Sequence, residues 1–247
     1  MGLALVTGGS RGIGAAIARA LAANGYGVVL TYEKNALAAH ALVDEIIANG
    51  GTAQAVQLDI SREAAIVDLF RLLDEYAMPL SVLVNNAGVT GGFSRLDALT
   101  LEQLHRVFEV NVFGAFLCAR EAVRRMGRES GGEGGVIINI SSRAAQLGGG
   151  GEWIHYAASK GALDSLTVGL AKEVAAQGIR VNGVAPGIID TDLHADAGKP
   201  GRAEQLGASV PLARPGQPAE VADCVVWLAS AAAAYVTGAI IPVAGGR

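Results

Sequence analysis

Short apolar runs alternate with longer, alanine-rich stretches of helical periodicity from one end of the chain to the other. Residues 3–7, 27–31, 53–58, 80–84, 136–140, 180–184 and 239–243 predict seven strands. Between them, residues 13–23, 36–49, 62–76, 101–127, 154–176 and 218–230 predict helices. Asn24-Gly25, Asn49-Gly50-Gly51 and Gln177-Gly178 follow three of these helices, where a left-handed residue closes the last turn. Ser61 and Thr100 stand where N-caps are expected. Most strand runs are continuously apolar, which predicts burial on both faces of a parallel sheet. The alternation therefore predicts an α/β fold: a doubly wound, Rossmann-type parallel sheet of about seven strands with helices on both faces. No repeat and no linker divides the chain, so residues 1–247 are expected to form a single domain.

Composition narrows this further. The chain is 51% hydrophobic with a net charge of -4, which excludes disorder and leaves no basic footprint for nucleic acid. The 34 glycines are roughly twice ordinary usage. Cys118 and Cys224 lie in apolar surroundings and read as buried thiols of a reducing compartment. The first residues run straight into a strand pattern with no basic or cleavable apolar segment, so a cytoplasmic protein is expected. The charge-free stretch between Asp223 and Arg247 looks like a membrane span, but Ser230, Thr237, Gly238 and Pro242 interrupt it. A buried helix, a turn and a last strand are expected there, and no membrane partner. Residues 190–211, with Leu193, Leu206 and Val210 as their main apolar positions, are the least regular segment and a candidate lid.

The candidate chemistry starts at the first strand. Thr7-Gly8-Gly9-Ser10-Arg11-Gly12-Ile13-Gly14 joins that strand to the first helix. Glycines there let backbone approach a pyrophosphate, and the helix N-terminus favours its charge. Gly8, Ser10, Arg11, Gly12, Ile13 and Gly14 are therefore candidate dinucleotide contacts, although the spacing differs from the commonest fingerprint. Asn86, Ala87 and Gly88 end the fourth strand at the same edge, where small residues leave room for a flat ring and ribose. Asp59, followed by Ile60, closes the third strand. Its carboxylate either accepts from an adenine amino group or serves the following helix as an N-terminal acid.

Together with Tyr156-Ala157-Ala158-Ser159-Lys160, Pro186-Gly187-Ile188-Ile189-Asp190-Thr191 and Tyr235-Val236-Thr237-Gly238, these motifs give a chain that resembles the single-domain branch of the short-chain dehydrogenase/reductases along essentially its whole length. Tyr156 and Lys160 are i and i+4, hence on one helix face, where an ammonium would stabilise a phenolate. Ser141-Ser142 end the fifth strand. The resemblance implies Ser142 as the catalytic serine, but it precedes Tyr156 by fourteen residues where many members have thirteen. The glycine run 148–151 can absorb the surplus, and the choice between Ser141 and Ser142 stays open because strand neighbours face opposite ways. The resemblance further implies that Asn111 distorts its helix to hold a water beside Lys160, completing a relay from Tyr156 through a ribose hydroxyl and Lys160 to solvent. It also implies that Pro186, Gly187, Ile189 and Thr191 contact the nicotinamide end.

The implied reaction is hydride transfer between a nicotinamide cofactor and a carbonyl or secondary alcohol, with Tyr156 as general acid/base and Ser142 polarising the oxygen. Arg11 favours NADP(H), and Tyr32 stands where NAD-dependent relatives carry Asp. Glu33, one residue on, keeps NAD(H) possible, and with it an alcohol or sugar dehydrogenase. Resemblance to 3-oxoacyl-carrier-protein reductases and to sugar dehydrogenases leaves two substrate classes. Arg124, Arg125 and Arg128 are read as a solvated helix face in preference to a carrier-protein dock. A non-catalytic dinucleotide sensor is the competing class, and the presence of Tyr156 and Lys160 disfavours it. No metal is implied, because His40, His105, His155 and His194 lack ligand spacing. His155 is expected at the rim or a subunit contact, and the family's usual assembly implies a homotetramer.

Overall fold

Seven runs pair in parallel throughout: β1 (Leu3–Val6), β2 (Gly27–Tyr32), β3 (Thr52–Gln57), β4 (Leu80–Asn85), β5 (Gly135–Ile140), β6 (Ile179–Pro186) and β7 (Ile240–Val243). Their order in the sheet is β3-β2-β1-β4-β5-β6-β7. The computed structural model describes residues 2–191 and 201–247, so His194 and Leu193, with most of the first half of the candidate lid, lie outside the described residues.

Successive strand residues point to opposite faces, which is why the strands read as unbroken apolar runs. Ala4 and Val6 of β1 enter one core with Ile17 and Leu21 of α1 (Gly12–Ala23), Leu42 of α2 (Ala36–Ala48) and Val225 of the helix Pro218–Ala229. Leu3 and Leu5 enter the other. There they meet Phe70 of α3 (Glu63–Leu73), Ala122 of α5 (Gly114–Met126) and Val174 of α7 (Ile154–Val174). The two edge strands depart from the pattern: β3 exposes Thr52, Gln54 and Gln57, and β7 places Pro242 where an edge tolerates it.

The helix expected over 101–127 is broken. α4 (Leu101–Phe108) opens with the Thr100 cap: Gln103 N–H donates to Thr100 Oγ1 at 3.2 Å. It then passes into a π-helical turn, Glu109–Phe113, before α5 begins. Ser61 does not cap α3. The extended residue before that helix is Arg62, while the Ser61 hydroxyl donates to Asp59 Oδ1 at 2.6 Å. At the expected helix ends, Gly25, Gly50 and Gly178 take φ of 83°, 82° and 79°. The uncharged C-terminal stretch forms the end of the helix Pro218–Ala229, a turn and β7. Among the described residues no helix is long and apolar enough to cross a membrane.

Candidate active site

The strand order reverses between β1 and β4, and ligands bind at the carboxyl edge of such a switch point. A cleft of about 890 Å³ lies there. Gly8, Ser10, Arg11, Gly12, Ile13, Gly14, Tyr32, Asp59, Ile60, Asn86, Ala87 and Gly88 line one part of it. Ser142, Tyr156, Lys160, Pro186, Gly187, Ile189 and Thr191 line the other. Of the catalytic and cofactor-contacting candidates, Asn111 alone is not part of the cleft lining.

The glycine loop is stitched to the end of β4. Thr7 Oγ1 accepts from the backbone N–H of Asn86 and Ala87, both at 3.0 Å. The Asn86 amide donates to the carbonyls of Thr7 and Gly8 at 3.0 and 2.9 Å. A Cβ on Gly14 would stand 2.3 Å from the Gly8 carbonyl oxygen, and one on Gly8 2.9 Å from Ala87 Cα. Side chains are thus excluded where the first turn of α1 presents its N–H groups to the cleft, a setting suited to a pyrophosphate.

At the other end β5 delivers two serines with opposite fates. Ser141 is buried and donates to Asp164 Oδ1 at 2.5 Å. The Ser142 hydroxyl accepts from Ala144 N–H at 3.1 Å and stands beside the Tyr156 phenol, whose ionised form it favours. Both serines line the cleft, but the Ser141 hydroxyl is spent on Asp164, whereas Ser142 stands beside Tyr156. Between Ser142 and Tyr156 lies α6 (Ala144–Leu147), followed by Gly148, Gly149 and Gly151 with φ of 80°, 62° and 78°, a backbone that glycine adopts freely.

Lys160 is buried and donates to the Ile140 carbonyl at 2.8 Å, with its Nζ 5.7 Å from the Tyr156 ring centroid. Burial brings its ammonium down to about 8, against the opposing charge of Asp164. Burial raises the Tyr156 phenol, with the Ser142 bond opposing. The Lys160 ammonium, expected to stabilise the phenolate, is held by the Ile140 backbone carbonyl. Asn111 Oδ1 accepts from Val89 N–H at 2.8 Å, and its amide donates to Val89 O and Ser159 Oγ at 2.9 and 3.0 Å. The π-helical turn carries Asn111 to this loop, and a Cβ on Gly88 would stand 3.4 Å from both Asn111 Oδ1 and Lys160 Nζ.

Asp59 lines the cleft, while its Oδ1 accepts from Ser61 N–H and Oγ, and the Ser61 bonds hold its carboxyl below the usual range. Cys118 is sealed in the core, and burial pushes its thiol up to about 12. His155 is not at the rim. It is buried, with Nε2 lacking a hydrogen bond, because the helix turns it under Gly91, whose Cβ would come within 3.1 Å of that nitrogen.

Sequence reasoning missed three features. Asp164 repeats the i, i+4 step from Lys160, a signal that was available. Phe93 stacks on Trp153 with ring centroids 4.8 Å apart, and the Arg202 guanidinium lies 5.1 and 5.6 Å from those rings while pairing with Glu152. Arg106 Nη2 lies 3.0 and 3.1 Å from the two carboxylate oxygens of Glu33. The last two join segments far apart in the chain and leave no local pattern.

The model of the family described as enoyl-(acyl carrier protein) reductase matches residues 8–247. The chain is 51% identical over 247 residues to the uncharacterized oxidoreductase YgfF of Escherichia coli (strain K12), covering all of both. It is 43% identical over 246 residues to a 3-oxoacyl-(acyl-carrier-protein) reductase of Synechocystis sp., covering 99% of this chain and 96% of that one. A short chain dehydrogenase from Burkholderia cenocepacia J2315, solved in complex with NADP, superposes with a TM-score of 0.90 at 36% identity, covering 99% of this chain and 97% of the other.

Proposed function

We propose a function for the cleft on one premise: the chain belongs to the short-chain dehydrogenase/reductase family and is an oxidoreductase. The reaction is the NADP(H)-dependent interconversion of a carbonyl and a secondary alcohol, run as reduction. The observation that carries this reading is the meeting of Ser142, Tyr156 and buried Lys160, one helical turn on from Tyr156, at the far end of a glycine-walled cleft.

The cleft suits a dinucleotide, because the cradle formed by Gly8 and Gly14 is one that a Cβ would fill. Gly8, Ser10, Arg11, Gly12, Ile13 and Gly14 would hold the phosphates. Tyr32, Asp59 and Ile60 would hold the adenosine end, and Asn86, Ala87, Gly88, Pro186, Gly187, Ile189 and Thr191 the nicotinamide end. When bound, the cofactor supplies the hydride. Tyr156 donates its proton to the substrate oxygen as general acid, and burial favours its protonated form. Ser142 positions and polarises that oxygen. Lys160 brings a positive charge to the same wall, and Asn111 fixes the loop at Val89 behind it.

Arg124 is ion-paired with Glu121, and Arg125 with Asp74 and Glu121, which favours a small-molecule substrate over a carrier protein docked on that helix. Residues 1–247 would act as one catalytic unit in the cytoplasm. Exposed Phe113 and Phe116 at α5, Val168 on α7, and Trp227 and Tyr235 near edge strand β7 support a homotetramer. Light scattering should give four times 25.1 kDa; a monomeric mass would contradict this assembly.

The cofactor is tested by quenching of protein fluorescence. NADPH should bind wild type more tightly than NADH, and Arg11→Ala should remove that preference by about tenfold while leaving NADH unchanged. Equal affinities in the wild type would refute the NADP assignment.

A further inference from the structure

The carboxylate that keeps NAD(H) possible, Glu33, is already engaged. Its backbone is fixed beyond β2: Gln57 Nε2 donates to the Glu33 carbonyl at 3.0 Å, and Leu58 N–H to the Tyr32 carbonyl at 2.8 Å. Its side chain is met by Arg106, which comes from α4, 73 residues away, and whose Nη2 lies between both oxygens. Lys34 Nζ stands 3.7 Å from Oε1 of the same carboxylate. Glu33, Lys34, Arg106, Arg11 and Asp59 all line the cleft at the end where the adenosine ribose would lie. The three cations outnumber the two carboxylates there, and Asp59 is turned to Ser61.

We infer that Arg106 is a specificity-determining residue: it latches Glu33, removes it as an acceptor for a ribose 2′-hydroxyl, and leaves the adenosine end positive for a 2′-phosphate. This rests on the NADP(H) reading above and extends it to a residue that no strand-end motif marks. The partners are 37% and 41% exposed, and a pair that open contributes little to folding. Its consequence is local charge. Without Arg106, the carboxylate keeps only the more distant Lys34 and faces the phosphate; without Glu33, Arg106 and Lys34 are both available to it.

Binding of NADPH and of NADH, measured by fluorescence titration on wild type, Arg106→Ala, Glu33→Gln and the double variant, tests the latch. Arg106→Ala should weaken NADPH about tenfold and leave NADH unchanged or several-fold tighter. Glu33→Gln should tighten NADPH several-fold, and in that background the Arg106→Ala loss should shrink to about half or less on a logarithmic scale. Equal weakening of both cofactors by Arg106→Ala, or the same NADPH loss in both backgrounds, would overturn the latch. If Arg106→Ala does not fold, Glu33→Gln decides alone, and no gain in NADPH affinity overturns it. A wild type that prefers NADH overturns the NADP(H) reading and the latch with it. A wild type that prefers NADPH with an inert Arg106→Ala overturns the latch and leaves that reading standing.

Discussion

Tyr156→Phe is expected to bind NADPH as the wild type does while kcat for carbonyl reduction falls by about 10²–10⁴-fold, the range for losing a positioned general acid. The substitution removes one oxygen from a ring that is 7% exposed. The ring keeps its contact with Trp153, whose centroid is 5.4 Å away, so the wall of the cleft has no reason to move. What is lost is the proton that burial holds on the phenol against the opposing pull of the Ser142 hydroxyl. The pH profile separates this loss from misplacement. Lys160 titrates at about 8, charged below and neutral above, so wild-type reduction should be level at neutral pH and decline as pH rises through that region. The residual rate of Tyr156→Phe should show the same alkaline decline at a far lower level, because Lys160 is untouched. A variant that retained more than roughly a tenth of the wild-type kcat would remove Tyr156 from the role of proton donor.

The sheet was legible because its physics is local and repeated. Burial on both faces forces unbroken apolar runs, and residues 3–7, 27–31 and 136–140 have no other reason to look as they do. The glycine loop and the Tyr156/Lys160 step were legible for the same reason, since each chemical demand falls within one turn or one strand end. The break in the helix over 101–127 was not legible from periodicity. A π-helical turn costs a single residue of register, and what holds it is Asn111 reaching Val89, 22 positions away. The choice between Ser141 and Ser142 needed Asp164, 23 positions from Ser141, which engages that hydroxyl alone. Glu33 was read as keeping NAD(H) possible because Arg106, which engages it, arrives from α4 only when the chain is folded. Long-range charge pairing of this kind decides chemistry without leaving a motif.

The glycine loop offers a second large effect that does not depend on catalysis. Gly14→Ala should lower both stability and cofactor affinity. The added methyl would stand 2.3 Å from the Gly8 carbonyl oxygen, 2.5 Å from Asn86 Nδ2 and 3.0 Å from Gly9 Cα, and two of these are backbone atoms that cannot swing aside. Relief requires the loop to lift from α1, and lifting it breaks the Asn86 bonds to the Thr7 and Gly8 carbonyls. Overpacking of this kind costs about 1–3 kcal/mol, and two hydrogen bonds add about 1 kcal/mol each, so thermal unfolding should move down by about 10 °C. A loop displaced by about 1 Å no longer presents its N–H groups correctly, and NADPH and NADH should both weaken by about 10²-fold. Arg11→Ala in the same loop makes the contrast: it removes a side chain that a 2′-phosphate would meet and leaves the backbone alone. Its melting temperature should match the wild type, and its loss should be confined to NADPH. Gly14→Ala therefore damages the cradle for any dinucleotide, and Arg11→Ala damages the choice between two. Unchanged melting and unchanged affinity for both cofactors in Gly14→Ala would mean that the loop is not pinned by Asn86, and the assignment of residues 8–14 as the phosphate cradle would fall with it.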